Sequence, residues 1–486
     1  MSVQLPNSCG SAKSQDNAQP ARPAPRKGRV PILVILVLLL ATALRTYNLD
    51  GASLWSDETR SALMALTQPL HIINNAGTDV HSPAFYLVEH YWIKGLGQSD
   101  YSIRLLSVFS SVLTVAVTFV LSKRIFRADT ATVAAVLVAA SEFHLRLAQE
   151  ARPYALLSLL TVTSFLFLAE LVRRPAGQTA GKYILVTIPL IYIHPYGLIV
   201  VAAQNLFMFL QWRPKLSFSR WPARWISIQF TLFLAYSPWL AQFAMQLSRV
   251  RNGVLPYYAL PTASSVLGTF LEFANLSRYL LGIMILLSIV AFGGIRTYKY
   301  PSLHAMLSIW LVAPAAIAFL VSWIFTPIYD TRGLIGSSPA LYILAAHGLC
   351  KLHSRNFQAG LLVIMLGFCG EALWYYYPNV LKDDWRGAAG IIAAQAHQGD
   401  TLCVVEYYDD ALRFYLTRTD LIVGCKDILE PLAQSGKLPA LPDRFWFLHQ
   451  NNAALNSNPR EQLGPQYFIS KFDLTGLQLS LFERKQ

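Results

Sequence analysis

Charge is scarce in this sequence. Asp, Glu, Lys and Arg make up 14% of its 486 residues while 54% are hydrophobic, which excludes an ordinary soluble chain, where about 25% of residues are charged. Acids are scarcer than bases, 27 against 40, leaving a formal charge of +13. Cysteine is scarce as well, with five in all. Cys9, Cys350 and Cys369 fall in the N-terminal tail and in apolar runs, so only Cys403 and Cys425 are open to pairing in an oxidising compartment, and two buried free thiols fit them equally. No internal repeat at solenoid periods is present.

Long apolar runs take up most of the chain instead. A hydrocarbon core of about 30 Å needs roughly 20 helical residues, and about eleven runs approach that length. They lie near 31–49, 103–121, 130–146, 154–172, 183–194, 197–212, 226–245, 278–295, 303–325, 334–350 and 357–377. The fifth and sixth are short and can be read as one hairpin turning at "HPYG", His194 to Gly197. The expected fold class is an α-helical polytopic membrane protein.

Basic residues orient the bundle, because Lys and Arg are retained on the cytoplasmic side. Lys13, Arg22, Arg26, Lys27 and Arg29 precede the first run, and Lys123, Arg124, Arg127, Arg173, Arg174, Lys182, Arg213, Lys215, Arg220 and Arg224 fill alternate loops. Arg296, Lys299, Lys351 and Arg355 continue the series. The N-terminus is therefore expected inside and the chain after Pro378 outside, as fits a bacterial inner-membrane protein with a periplasmic or extracellular C-terminal part. The positive charge is then a topology signal, and no nucleic-acid partner is expected. Residues 1–30, rich in Pro, Ala, Ser and Gln, read as a disordered basic cytoplasmic tail. A cleaved signal peptide is the competing reading of "RKGRVPILVILVLLLATA".

The expected domains are thus the tail (1–30), a membrane domain (31–378) whose first extracytoplasmic loop runs from about 50 to 102, and an extracytoplasmic domain (379–486). In the last, "TLCVVEYY" and "RFWFLHQ" read as buried strands, "QYFISKF" and "LQLSLFER" as a hairpin, and "WRGAAGIIAAQA" as a helix. A small α/β module follows from that pattern.

Polar side chains gather in the loops of the outer face. "SLWSDETRSALMAL" places Asp57 and Glu58 just after the first run, and "NNAGTDVHSPAFYLVEHYW" adds Asp79 and His81. "LAQEARPYALL" places Glu150, Arg152 and Tyr154 at a second outer turn, "YIHPYG" His194 at a third, and "FTPIYDTRGLIGSSPALYILAAHGL" Tyr329, Asp330 and Arg332 at a fourth. The plain account of the first stretch is a helix start, with Ser56 as cap and the two acids complementing the positive end of the macrodipole. Adjacent helical residues diverge by about 100°, so the acids need not share a task. That all these loops lie on one face suggests a shared outer cavity.

These stretches resemble the GT-C glycosyltransferases of the protein O-mannosyltransferase and lipid A aminoarabinose transferase type. "LWSDETRSALMAL" is similar to that family's acidic first-loop motif, and "DVHSPAFYLVEHYWIKGLGQSDYSIRLLSVFSSVL" to its D-x-H-P-P-x-Y stretch and following span. "SEFHLRLAQEARPYALLSLL", "DTRGLIGSSPALYILAAHGL" and "KDDWRGAAGIIA" resemble its third loop, later bundle and the lead-in to its outer domain. The likeness covers residues 31–400. It departs at Ser82, where the family often has Pro, and at Gly333, where an aromatic is common.

The resemblance implies a glycosyltransferase that takes a sugar from a polyprenyl-phosphate donor on the outer side of the membrane and delivers it to a hydroxyl of a lipid, glycan or protein. Displacing lipid phosphate from the anomeric carbon, with inversion, needs a base for the acceptor proton and cations for the leaving phosphate. The motif implies Asp57 as the base, with Glu58 positioning the helix or acceptor. Arg152 and Arg332 become phosphate candidates, and Asp79, His81, His194 and Tyr329 further substrate contacts. Asp57, Asp79 and His81 also offer ligands for a divalent cation, the one cofactor left open. His194 reads equally as a structural residue of its turn, and "NLS" at Asn275 is a glycosylation sequon only in a eukaryotic secretory setting.

Two other function classes remain open at this point. A lipid-linked polysaccharide polymerase or ligase would share the donor class. A transporter would carry ionisable residues near mid-span and repeated halves, whereas here charge collects at one face.

Overall fold

The computed structural model describes residues 32–75, 82–211, 221–252, 259–293, 302–379, 382–404, 409–416, 421–424, 442–451 and 466–485. Helix α1 (Ile32–Thr46) is followed by three helices of the first loop, α2 (Ser56–Ala65), α3 (Pro69–Asn75) and α4 (Pro83–Leu96). The bundle continues with α5 (Asp100–Ile125), α6 (Ala128–Ala140), α7 (Glu142–Ala148), α8 (Tyr154–Arg173), α9 (Gly177–Ile193), α10 (Tyr196–Gln211), α11 (Trp221–Tyr236) and α12 (Leu240–Arg251). It ends with α13 (Ala263–Phe273), α14 (Arg278–Ala291), α15 (Ser302–Ile324), α16 (Ser338–Lys351) and α17 (Arg355–Tyr376).

The eleven apolar runs fall on helices, those at 130–146 and 226–245 on two each. Among the described residues, five helices are long and apolar enough to cross a membrane, or up to seven if two bent pairs each count as one. The bends have local causes. Between α6 and α7 the chain turns by 56° because Ser141 leaves the helical region and its hydroxyl accepts from the N–H of His144, capping a new helix. Between α13 and α14 it turns by 84°, where Asn275 and Leu276 both take positive φ. The Asn275 side chain is buried, accepting from the N–H of Glu142 and donating to Cys369 Sγ, so it braces the bend and is no surface sequon.

Packing grades from a sealed centre to an apolar rim. Helix α16 is buried along nearly its whole length and packs against α14, α6 and α15, while α5 packs on α6 and α8. On α17 only Met365, Cys369 and Leu373 are buried, and Val363, Ile364 and Trp374 face outward, the pattern of a lipid-facing surface. Arg45, at the end of α1, is wholly buried but satisfied: its guanidinium donates to Ser111 Oγ and to the carbonyls of Ala41, Val138 and Ala139. One end of the bundle collects the basic loops. There Arg124 pairs with Glu170 at 2.5 Å, Arg224 donates to the Pro175 carbonyl and Lys351 to that of Ala291.

At the opposite end sits the C-terminal module, built from α18 (Trp385–Gln395), β1 (Thr401–Val404), α19 (Asp409–Tyr415), β2 (Ile422–Gly424), β3 (Arg444–Gln450), β4 (Tyr467–Leu474) and β5 (Leu477–Arg484). The sheet order is β2-β1-β3-β5-β4. The first three strands are parallel and β5 runs antiparallel to both β3 and β4. The expected hairpin is β4 and β5, turning at Gly476 with φ 71°. Trp385, Ile392, Leu402, Leu412, Trp446 and Leu479 form its own apolar core. Cys403 is disulfide-bonded; Cys425 lies outside the described residues.

Candidate active site

The acidic pair separates as helical geometry requires. Trp55, not Ser56, is the N-cap of α2, and Glu58 reaches back to accept from its N–H at 3.2 Å. Glu58 is fully buried. Five donors converge on its two oxygens: Arg104 Nε (2.9 Å) and the Ala151 N–H (2.7 Å) on Oε1, with Arg104 Nη2 (2.8 Å), Lys382 Nζ (3.0 Å) and the Trp55 N–H on Oε2. Burial by itself pushes this carboxyl up, but the Arg104 and Lys382 cations beside it prevail and hold it down at about 2. With both oxygens engaged, Glu58 fastens α2, the first of the two positioning roles expected of it.

Asp57 points the other way, and its side chain is 36% exposed. Its backbone carbonyl is pinned by Arg152 Nη1 and by Ser61 Oγ, each at 3.0 Å, and Arg152 Nη1 also donates to Ser61 Oγ at 2.7 Å. The second guanidinium nitrogen, Nη2, lies 4.0 Å from Asp57 Oδ2. The carboxylate is thus anchored at its root, open at its tip, and flanked by a cation.

The turn that carries Arg152 also starts α8 with Tyr154, and a second group assembles there. The Arg332 guanidinium sits over the Tyr154 ring at 5.2 Å, its Nε lies 3.5 Å from Asp330 Oδ2, and its backbone N–H donates to Asp330 Oδ1. His194 packs against the rings of Tyr154 and Tyr196, each at 5.5 Å, while its Nδ1 accepts from the Tyr196 N–H. That is the bracing of a turn. Gly333 is required here, since a Cβ would lie 2.7 Å from the Tyr196 ring; this accounts for the missing aromatic. Tyr329 is buried and bonds through its hydroxyl to Thr269 at 2.8 Å.

Two further acids lie among these groups, Glu150 half-buried and Glu89 fully buried. Glu150 lies among Lys382, Glu58, Arg332 and Arg146, and burial pushes its carboxyl up. Glu89, on α4, is fully buried with no hydrogen-bond partner for either oxygen among the described residues, and burial raises its carboxyl well above the usual range despite the charge of Arg152. Asp79 and His81 lie outside the described residues. Among the described residues no group of three or more His, Cys, Asp or Glu side chains is arranged to hold a metal ion.

Sequence reasoning did not single out Arg104, Lys382, Glu89 or Tyr415. For Arg104 the signal was a guanidinium inside an apolar run, which requires a partner. For Lys382 there was none, because its partner is 324 positions away.

The fold has known counterparts. ArnT from Cupriavidus metallidurans in the apo state superposes with a TM-score of 0.63 at 14% identity, covering 92% of this chain and 97% of that one. The chain has the fold of ArnT. The same ArnT bound to undecaprenyl phosphate gives 0.60 over 93% and 98%. The oligosaccharyltransferase AglB from Archaeoglobus fulgidus, in complex with an inhibitory peptide and a dolichol-phosphate, gives 0.51 at 10% identity, over 81% of this chain and 64% of that one. No family model matches the sequence, and no curated protein matches it. The helical bundle with a small C-terminal sheet, expected from the sequence, is thus a fold shared with ArnT.

Proposed function

We propose that this chain is a membrane glycosyltransferase that moves a sugar from a polyprenyl-phosphate donor to a hydroxyl acceptor on the outer face of the cytoplasmic membrane. The observation that carries the reading is Asp57: a carboxylate fixed at its backbone, open at its tip and flanked by Arg152, on a fold shared with a protein crystallised with undecaprenyl phosphate. In the step, the acceptor oxygen bonds to the anomeric carbon, its proton passes to Asp57, and the bond to the lipid phosphate breaks. Arg152 and Arg332 neutralise the phosphate as it leaves. One carboxylate suffices for this displacement, in contrast to the pair that flanks the bond in most glycoside hydrolases. Asp79 and His81 complete the donor site in this reading, and no step is assigned to a metal.

Two features support the outward orientation. The Cys403 disulfide sits in the C-terminal module, and such bonds persist in oxidising compartments. The basic loops meet at the end opposite the candidate site, as inward retention of positive charge requires.

The test compares glycolipids and glycans of cells with and without the protein, then supplies purified enzyme with polyprenyl-phosphate sugars or with preassembled lipid-linked oligosaccharides. Loss of one defined sugar, with transfer from the monosaccharide donor that Asp57→Asn abolishes, supports the proposal. Transfer from the oligosaccharide alone would favour the ligase reading, which the likeness to AglB keeps in view. No transfer from either sinks both.

A further inference from the structure

The C-terminal module does more than sit on the bundle: it grips α2 on both sides of Asp57. Before Asp57, Ser53 Oγ donates to the Asp383 carbonyl at 2.5 Å and accepts from the Trp385 N–H at 3.1 Å. Tyr415 Oη accepts from the Leu54 N–H and donates to Asp100 Oδ2, both at 2.7 Å. After Asp57, Lys382 Nζ reaches Glu58 at 3.0 Å and Arg60 pairs with Asp410 at 3.2 Å. Arg386 secures the floor of the same contact, on Asp100 at 3.3 Å and on the Asp50 carbonyl.

These bonds differ in setting. Arg60–Asp410 is partly solvent-exposed, and such pairs contribute little. Lys382 is different, because Glu58 and Arg104 are buried and the low local dielectric strengthens their coupling. It also donates to the Gln149 carbonyl, on the turn that carries Arg152. Behind it lies a cavity of about 320 Å³ lined by Asn48, Gln149, Tyr376, Tyr377, Arg104 and Lys382 itself.

We infer that the C-terminal module is a positioning element of the active site, with Lys382 and Tyr415 as the positioning residues that hold α2, and so Asp57, in register with Arg152. The inference rests on the glycosyltransferase reading only for its catalytic consequence; the clamp itself is a mechanical statement about residues 53–66.

The test is amide hydrogen exchange on the full chain in detergent, following the peptide 53–66 against reference peptides from β3 and α8. Tyr415→Phe removes one hydroxyl, and Lys382→Met removes one of two cations on Glu58 while Arg104 remains, so both variants fold. Each should speed exchange in 53–66 by about tenfold, the weight of one buried hydrogen bond to a charge, and leave β3 and α8 at wild-type rates. Lys382→Arg should restore protection. Turnover should fall about ten- to a hundredfold with donor KM held within about twofold, as misplacement of a reacting group predicts. Wild-type exchange in 53–66 of both variants and their double variant would overturn the inference. So would uniform acceleration across all peptides, which would make these contacts general stability. If wild-type protein neither binds undecaprenyl phosphate nor transfers sugar, the functional reading falls while the exchange data still decide the clamp.

Discussion

Replacing Glu58 by Gln tests how α2 is fastened. Position 58 gathers five N–H donors on two carboxylate oxygens, two on Oε1 and three on Oε2. An amide keeps one oxygen and turns the other into a donor, so whichever way it flips, at least two N–H groups face an N–H. The substitution also deletes the only anion in contact with Arg104 and Lys382 among the described residues. Breaking a buried ion pair by removing one partner costs about 3–5 kcal/mol. That exceeds the roughly 1 kcal/mol expected of a residue serving only a helix terminus.

The assay is equilibrium or thermal unfolding in detergent, with Asp57→Asn as the neighbouring control, expected within about 0.5 kcal/mol of wild type because its side chain is partly exposed. The pH dependence carries a sign. The folded Glu58 carboxyl is depressed to about 2, below an unfolded value of about 4.3, so its contribution is complete above about pH 4.3 and is lost as pH falls through 2. Glu58→Gln lacks this dependence, and its deficit should shrink over that window. A Glu58→Gln protein that unfolds with the wild-type midpoint at pH 7 would refute the fastening argument.

Three further outcomes are expected. Asp57→Asn should cost about 10²–10⁴-fold in turnover with folding intact, the usual weight of a general base; normal transfer at matched expression would leave Asp57 a helix-start residue only. Arg152→Ala should weaken undecaprenyl phosphate binding more than Arg152→Lys, which keeps the charge but loses the fork that matches phosphate; equal binding by wild type and both variants would remove the phosphate role. Engineered cysteines at Ser14 and Ser435 should react oppositely with an impermeant thiol reagent in intact cells, Ser435 outside and Ser14 inside, and labelling of both or neither would reject the orientation.

What could be read from the sequence was what depends on neighbours along the chain. The apolar runs became helices, the alternating basic loops met at one end, and "QYFISKF" with "LQLSLFER" formed a hairpin in the order written. Each of these is governed by period, composition or a short turn. The number of spans was less legible: the run at 130–146 reads as one segment, but Ser141 ends one helix and caps the next inside it, and other runs form apolar helices of only 15 and 16 residues. Hydropathy does not register a helix that ends and restarts inside one run.

The site divides along the same line. Asp57 was legible because its motif is a run of adjacent residues. The groups that give Asp57 its geometry come from far away, Arg104 from 46 positions beyond Glu58 and Lys382 from 324. Lys382 drew no attention as one lysine in a loop, although a lysine this close to two carboxyls and an arginine is held by them, with burial drawing its pKa down and Glu58 drawing it back. The angular argument about "SDE" then acquires its physical content. Two adjacent carboxylates on one helix must diverge by about 100°, and the protein uses that divergence, spending one side chain on a buried five-donor anchor so that the other can stand open, near a guanidinium, without moving. A helix of ten residues cannot hold such a position by its own hydrogen bonds, since isolated helices shorter than about 12–15 residues are marginal in water. The anchor inside and the module above are what make Asp57 a fixed point.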